Sequence, residues 1–225
     1  MSVLFVTGAG TEIGKTYVTC ALARQLRAAG RAVRAFKPVA TGMVEPDDPA
    51  FQHSDTAQLL VAQGLPCDEI TIAACTPWRF AAPLSPDMAA ATEHHRLDLA
   101  DITTWALGAI EQAAADMVVL IEGVGGVMSP IASDGLNIDL IAALACPAIL
   151  VGGSYLGAIN HTLTALAAMR ARGVDVLGLV VNETFGSPVD FAATVASFAR
   201  FGPDVALMTL RHGEASIGGM RDLLT

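Results

Sequence analysis

Two lysines, two carboxylates and a threonine are the residues of this sequence whose types and spacing could do chemistry. Lys15 and Lys37 are its only lysines, against eleven arginines. An ammonium is a compact, movable point charge with three donors, suited to an anionic group that changes shape as it reacts. Lys15 stands in the stretch SVLFVTGAGTEIGKT, residues 2–16, where an apolar run passes through a glycine-rich turn into TYVTCALARQLRAAG. A strand, such a turn and a helix, in that order, form a loop whose N–H groups converge on an anion. The positive end of the helix dipole reinforces it. Gly8, Gly10 and Gly14 let that backbone curl. Lys15 then reaches the outer phosphates of a nucleotide, and the Thr16 hydroxyl holds Mg2+. The strict pattern has a glycine where this chain has Ala9, which requires a negative φ there. Read as architecture alone, the stretch is a turn joining a strand to a helix; its flanks favour a nucleotide site.

Lys37 follows the short apolar run ending at Phe36 and opens KPVATG, residues 37–42. Ligands of open α/β sheets bind at the carboxyl ends of strands, so Lys37 belongs to the same rim as the phosphate loop. Asp55 stands at the start of a short helical pattern to Gln63, where a carboxylate serves either the helix end or a metal ion. The metal reading needs a second carboxylate, and Glu122 supplies one. It ends the apolar strand MVVLI, residues 117–121, and precedes Gly123-Val124-Gly125-Gly126. An acidic residue there is the Walker B arrangement, facing the Thr16 hydroxyl across the ion. A third glycine-rich turn, Gly152 to Gly157, leads to Asn160 and His161 in the first turn of another helix. His161 reads as readily as a capping or packing residue as a functional one.

The elements that must position these groups alternate regularly. Strands are expected near residues 3, 33, 118, 149, 178 and 206. Helices are expected over about 15–29, 55–63, 99–115, 137–144 and 189–201 and from a first turn holding Asn160 and His161 to about 172, with one further helix capped by Ser85. Residues 43–54 form a polar, proline-bearing loop. With 53% hydrophobic and 16% charged residues, both faces of the sheet are covered, as in α/β proteins. A chain of 225 residues is most simply one domain. A net charge of −9 without a basic run argues against nucleic acid and anionic membranes as partners. Cys20, Cys67, Cys75 and Cys146 have no metal-ligand spacing and read as reduced thiols of a cytoplasmic protein. A strand pattern from the first residues, and no apolar run near about 18 residues, point away from a signal peptide and a membrane span.

Taken together, the motifs resemble the dethiobiotin synthetase family of P-loop NTPase-type proteins. The telling pieces run along most of the chain. They are Thr7-Gly8 with Thr11 to Thr16, Lys37 to Gly42, Ser54-Asp55, Pro83 to Pro86, Glu122 to Gly126, and Leu156 to His161. The resemblance implies a three-layer α/β fold with a mostly parallel central sheet. It implies a homodimer that uses Mg2+ and ATP to carboxylate 7,8-diaminononanoate with CO2 and close the ureido ring, a ligase reaction of biotin biosynthesis. By the same resemblance Lys37, Lys15 and Thr11 are catalytic. Glu12, Ile13, Gly14, Lys15, Thr16, Tyr17, Asp55, Glu122, Gly123, Val124, Gly125 and Asn182 hold the nucleotide. Thr16, Asp55 and Glu122 hold the metal. Thr41, Lys37, Leu156, Gly157 and Asn160 hold the substrate, the last three from the partner subunit. Three positions depart from the pattern: Gly10 stands where relatives carry Asp, Tyr155 where Lys can occur, and Met208-Thr209-Leu210 lacks a proline. Switch ATPases of the partitioning type carry a further lysine at the position of Gly10, and its absence argues against them. A cobyrinate-type synthetase needs a glutaminase domain for which the chain has no room.

Overall fold

The computed structural model describes residues 2–202 and 204–220. In chain order, β1 (Ser2–Gly8), α1 (Lys15–Ala28), β2 (Val33–Phe36) and β3 (Val39–Thr41) precede a 3-10 turn (Pro49–His53). Then come α2 (Asp55–Gln63), α3 (Glu69–Cys75), β4 (Trp78–Phe80), α4 (Pro86–Thr92), α5 (Leu99–Glu111) and β5 (Val118–Glu122). The series ends with β6 (Pro130–Ala132), β7 (Gly135–Leu136), α6 (Asn137–Leu144), β8 (Ala148–Gly152), α7 (Ala158–Ala171), β9 (Val176–Asn182), α8 (Phe191–Phe201) and β10 (Leu207–Leu210).

Six strands form one sheet in the order β10-β9-β8-β1-β5-β2, every pair parallel. The phosphate-loop strand is therefore central, with a neighbour on each side. Successive side chains point to opposite faces of a strand, and the two cores divide accordingly. Phe5, Val119, Ile121, Leu150 and Leu179 pack against α4 to α8. Leu4, Val6, Leu120, Ile149 and Val180 pack against α1, α2 and α3. Three layers result because each strand is apolar on both faces. In α1 the residues Val18, Leu22 and Leu26 form the buried stripe, all fully inaccessible. Such burial stabilises by about 1.5–3 kcal/mol per side chain.

Several elements differ from the sequence reading. Helix α3 was not anticipated; it is short and is started by a capping box. Asp68 Oδ1 accepts from Thr71 N at 2.9 Å, and Asp68 N donates to Thr71 Oγ1 at 3.1 Å. The pairs β3-β4 and β6-β7 lie outside the main sheet, too short for a periodic signal. Ser85 occupies the N-cap position of α4 but does not cap it: its side chain makes no cap hydrogen bond, and its buried hydroxyl has no partner. Helix α8 begins at Phe191, two residues later than expected, because the Asp190 side chain accepts from Ala193 N at 2.7 Å.

The edge strand β2 is closed by a side chain. The outward N–H and C=O of Ala35 both bond to the Gln63 amide, at 2.9 and 3.0 Å. Two positions further on, Lys37 N donates to Cys75 O at 3.0 Å. Gln63→Leu removes the partner of the Ala35 N–H and leaves its carbonyl only the weak Cys75 thiol donor, at 3.6 Å. It is expected to cost about 1–3 kcal/mol, read as a lower urea midpoint at unchanged slope. An unchanged midpoint would mean that water replaces the amide without cost.

Candidate functional site

Parallel strands deliver their carboxyl ends to one rim, and β1, β2, β5, β8 and β9 bring the sequence motifs there. The phosphate loop leaves β1 at Gly8. Its left-handed residues are Glu12 (φ 57°) and Gly14 (φ 87°). Of the three glycines expected to curl the loop, Gly14 is left-handed, joined by Glu12 rather than by Gly8 or Gly10, and Ala9 has the negative φ it requires. Gly8 is needed for space: a Cβ there would lie 2.6 Å from Ile13 Cδ1 and 3.1 Å from Lys15 Cγ. At Gly14 a Cβ would collide with the Asn182 amide, besides being strained.

Lys37 is the hub of the rim. Its Nζ lies 2.6 Å from Glu122 Oε1 and 2.8 Å from Asp55 Oδ2. The lysine and Glu122 side chains are buried, while Asp55 is 43% exposed. Thr16 Oγ1 donates to the same Glu122 oxygen at 2.7 Å. Asp55 therefore faces an ammonium from the first turn of α2; capping that helix falls to Ser54, whose Oγ accepts from Ala57 N at 3.2 Å.

The two lysines are tuned in opposite directions. Burial alone would lower the Lys37 pKa, but the Glu122 and Asp55 charges outweigh it and hold the ammonium above the ordinary lysine range. Burial and repulsion from Lys37 bring Lys15 down to about 8, with Glu122 and Asp55 offsetting only part. Lys15 Nζ donates to Gly10 O at 2.9 Å, folded over the loop. Burial works against ionised Asp55 too, yet Lys37 holds it below the usual carboxylate range. Burial pushes the Cys20 thiol up to about 12 and Cys75 to about 11, so both are inert thiols at neutral pH.

The donor chemistry around Thr16 suits Mg2+. It consists of one hydroxyl and two carboxylates, hard oxygens of the kind that ion takes. Glu122 Oε2 is buried with no protein partner, an orphaned acceptor that a cation would satisfy. Among the described residues no cluster of three His, Cys, Asp or Glu side chains is set to hold a metal; the third donor is the threonine.

The loop after Glu122 packs on the phosphate loop. Gly125 has φ 67°, and a Cβ on Gly126 would lie 3.4 Å from Ala9 O. Gly123 N and Val124 N already bond to Val6 O (3.0 Å) and Asn137 Oδ1 (3.2 Å). Sequence reasoning missed Asn137, the first residue of α6. Its fully buried amide donates to Val124 O at 2.5 Å, Gly126 O at 3.0 Å and Ser129 O at 3.2 Å. An asparagine opening a helix carries no signal of such a task.

Asn182, at the end of β9, donates to Ile13 O at 3.0 Å and keeps a buried, unpartnered Oδ1. The Tyr17 hydroxyl donates to Glu214 O, fastening α1 to the segment after β10. On the other side of the loop, a cavity of about 520 Å3 is lined by Gly10, Thr11, Ser129, Asn160 and His161. Leu156 (88% exposed) and Gly157 (φ 96°) stand at the start of α7 and do not line it. The Tyr155 hydroxyl and His161 Nδ1 are 2.8 Å apart. Thr41 ends β3, half-buried, and is not joined to the Lys37 cluster.

A strand feeding a glycine-hinged loop and helix, with a strand-end carboxylate 2.7 Å from the threonine, defines a P-loop nucleotide-binding protein. Known proteins agree. The AAA domain family AAA_26 matches residues 2–209. The signal recognition particle receptor FtsY from Elizabethkingia anophelis, in complex with GDP, superposes with a TM-score of 0.57 over 96% of this chain. At 15% identity that likeness concerns the fold alone, and the chain spans 59% of the receptor chain's length. The chain belongs to the ATP-dependent dethiobiotin synthetase family of ligases. It is 53% identical over 213 residues to the ATP-dependent dethiobiotin synthetase BioD of Methylobacterium nodulans, covering 95% of each chain. It is 44% identical over 227 residues to that of Caulobacter sp. strain K31, covering 100% of this chain and 94% of the relative.

The contrast between the lysines is directly measurable, because the chain has no third. At pH 8 about half of Lys15 is neutral, whereas Lys37 stays charged. A small amine-acylating reagent is expected to modify Lys15 well ahead of Lys37, increasingly as pH rises through 8. Mass-spectrometric mapping checks it, and equal modification would overturn the assignment.

Proposed function

We propose that this chain is a dethiobiotin synthetase: it carboxylates 7,8-diaminononanoate with CO2 and closes the ureido ring at the expense of ATP. The observation that carries the reading is the buried Lys37 ammonium, held by Asp55 and Glu122 beside the phosphate loop. Family membership supports that overall reaction, and we infer its steps as follows. One substrate amine adds to CO2 and loses a proton, giving a carbamate. The carbamate oxygen takes the γ-phosphoryl group as ADP leaves. The second amine then attacks the carbamoyl carbon, closing the ring and expelling phosphate.

Each anion in that sequence needs charge and orientation more than covalent help. Lys37 would stabilise the carbamate and the migrating phosphoryl group, and the Glu122 and Asp55 charges that raise its pKa favour the cationic form this role needs. Lys15 swings from Gly10 O to the outer phosphates, whose charge restores full protonation. Thr11 lies on the cavity side of the loop, where the reacting amines would stand. Glu12, Ile13, Gly14 and Tyr17 wrap the phosphates and sugar, and the turn Gly123, Val124, Gly125 closes over them. The free Asn182 Oδ1 accepts from an exocyclic amine of the base. Thr16, Asp55 and Glu122 would hold Mg2+, which neutralises phosphate charge when bound.

Thr41 orients the diamine, and Leu156, Gly157 and Asn160 take the substrate carboxylate at the start of α7. The exposure of Leu156 supports the proposal that these three serve a neighbouring subunit of a homodimer. Residues 1–225 are proposed to act as one such domain in the cytoplasm. No helix among the described residues is long and apolar enough to cross a membrane.

Phosphate release from Mg-ATP is expected only when diaminononanoate and bicarbonate are both present. Release indifferent to the diamine would overturn the carboxylase reading in favour of a switch ATPase. Lys37→Ala is expected to bind Mg-ATP within a few-fold of the parent and to lose about 10²-fold or more in kcat. Lys37→Arg keeps the charge and guards against misfolding around an unpaired Glu122. Normal turnover in both variants would remove Lys37 from the reaction.

A further inference from the structure

Away from the rim, a cavity of about 650 Å3 wraps around the outer edge of β2, between α2 and α3 on one face and α5 on the other. Its size is that of a small-molecule site. Phe36 and Trp105, in edge-to-face contact at 5.6 Å, form its aromatic wall, and Ile70, 81% exposed, forms the opposite lip. Gly108 hollows the floor on α5: a Cβ there would meet nothing within 4 Å. The occupant cannot be a strand, since Gln63 already takes both outward groups of Ala35.

One lining residue carries a formal charge, and it is a cation. Arg34 stands exposed on β2, on the same face as Phe36, in a chain whose net charge is −9. A solvent-open apolar trough with a single guanidinium is complementary to an alkyl chain ending in a carboxylate. The chain covers aromatic and aliphatic surface, and the planar fork of Arg pairs two carboxylate oxygens. We propose that this groove is a second, non-catalytic site for an aliphatic monocarboxylate of medium chain length. It lies behind the reactive rim: Cys75 in its wall accepts the hydrogen bond from Lys37 N. The inference does not depend on the reaction proposed above.

Octanoate is the probe, and Trp105 in the wall is the reporter; the chain's other tryptophan, Trp78, lies 6.2 Å from it. Titration is expected to give a saturable change in tryptophan fluorescence. Octylammonium, with the same chain and the opposite charge, and acetate, with the charge and no chain, should each bind at least about tenfold more weakly. Arg34→Glu is expected to weaken octanoate by at least about tenfold. Gly108→Leu, which starts from a Cβ position with nothing within 4 Å and extends side chain over the floor, should abolish the fluorescence response. Both variants should keep the parent's circular dichroism and diamine-dependent phosphate release, so a failed carboxylase reading stays distinguishable from a failed groove. Absence of saturation would overturn the site. So would octylammonium binding equal to octanoate, or unchanged octanoate affinity in either variant.

Discussion

Everything on the reactive rim depends on one buried cation and the two carboxylates that keep it there. An ammonium as inaccessible as Lys37 is costly to strip of water unless its neighbours return what hydration provided. Glu122 does this from the end of a central strand and Asp55 from the first turn of a helix. The three side chains come from segments far apart in sequence, so the ion cluster also fixes how β2, α2 and β5 meet. Removing one partner of such a buried pair typically costs about 3–5 kcal/mol. The groups proposed to serve the chemistry therefore also hold the rim together.

The cluster imposes opposite behaviour on Lys15. Two ammonium groups share the field of two carboxylates, and Lys37 occupies both of them. Lys15 is left with a backbone carbonyl, Gly10 O, and a depressed pKa. A cation bound this loosely is easily recruited by an arriving polyphosphate, whereas one held by two carboxylates keeps its place. The same residue type thus serves as a mobile contact at one strand end and a fixed one at the other.

Much of this was legible from residue types. The alternation of apolar strands with helical stripes points to a parallel sheet covered on both faces, and strand-end logic puts Lys15, Lys37 and Glu122 on one rim. Residue type alone leaves Asp55 between cap and ligand; the structure has Ser54 capping α2 while Asp55 turns to Lys37. What stayed hidden was set by tertiary contact. Glu12 shares with Gly14 a left-handed conformation that its residue type does not announce. Ser85 has the cap residue's identity and backbone but not its bond. Gln63 reads as an ordinary residue near a helix end, and nothing local announces that it completes a sheet edge.

Asn137 shows how a distant side chain can free a loop from its own sequence. One amide holds the carbonyls of Val124, Gly126 and Ser129, so the path of that turn is dictated from α6. Within the turn Ser129 adds one bond of its own, its Oγ accepting from Gly126 N at 2.8 Å, and Val127 is buried in the core, whereas the Met128 side chain stays half-exposed. That one exposed position can therefore change without disturbing the carboxylate at the base of the turn.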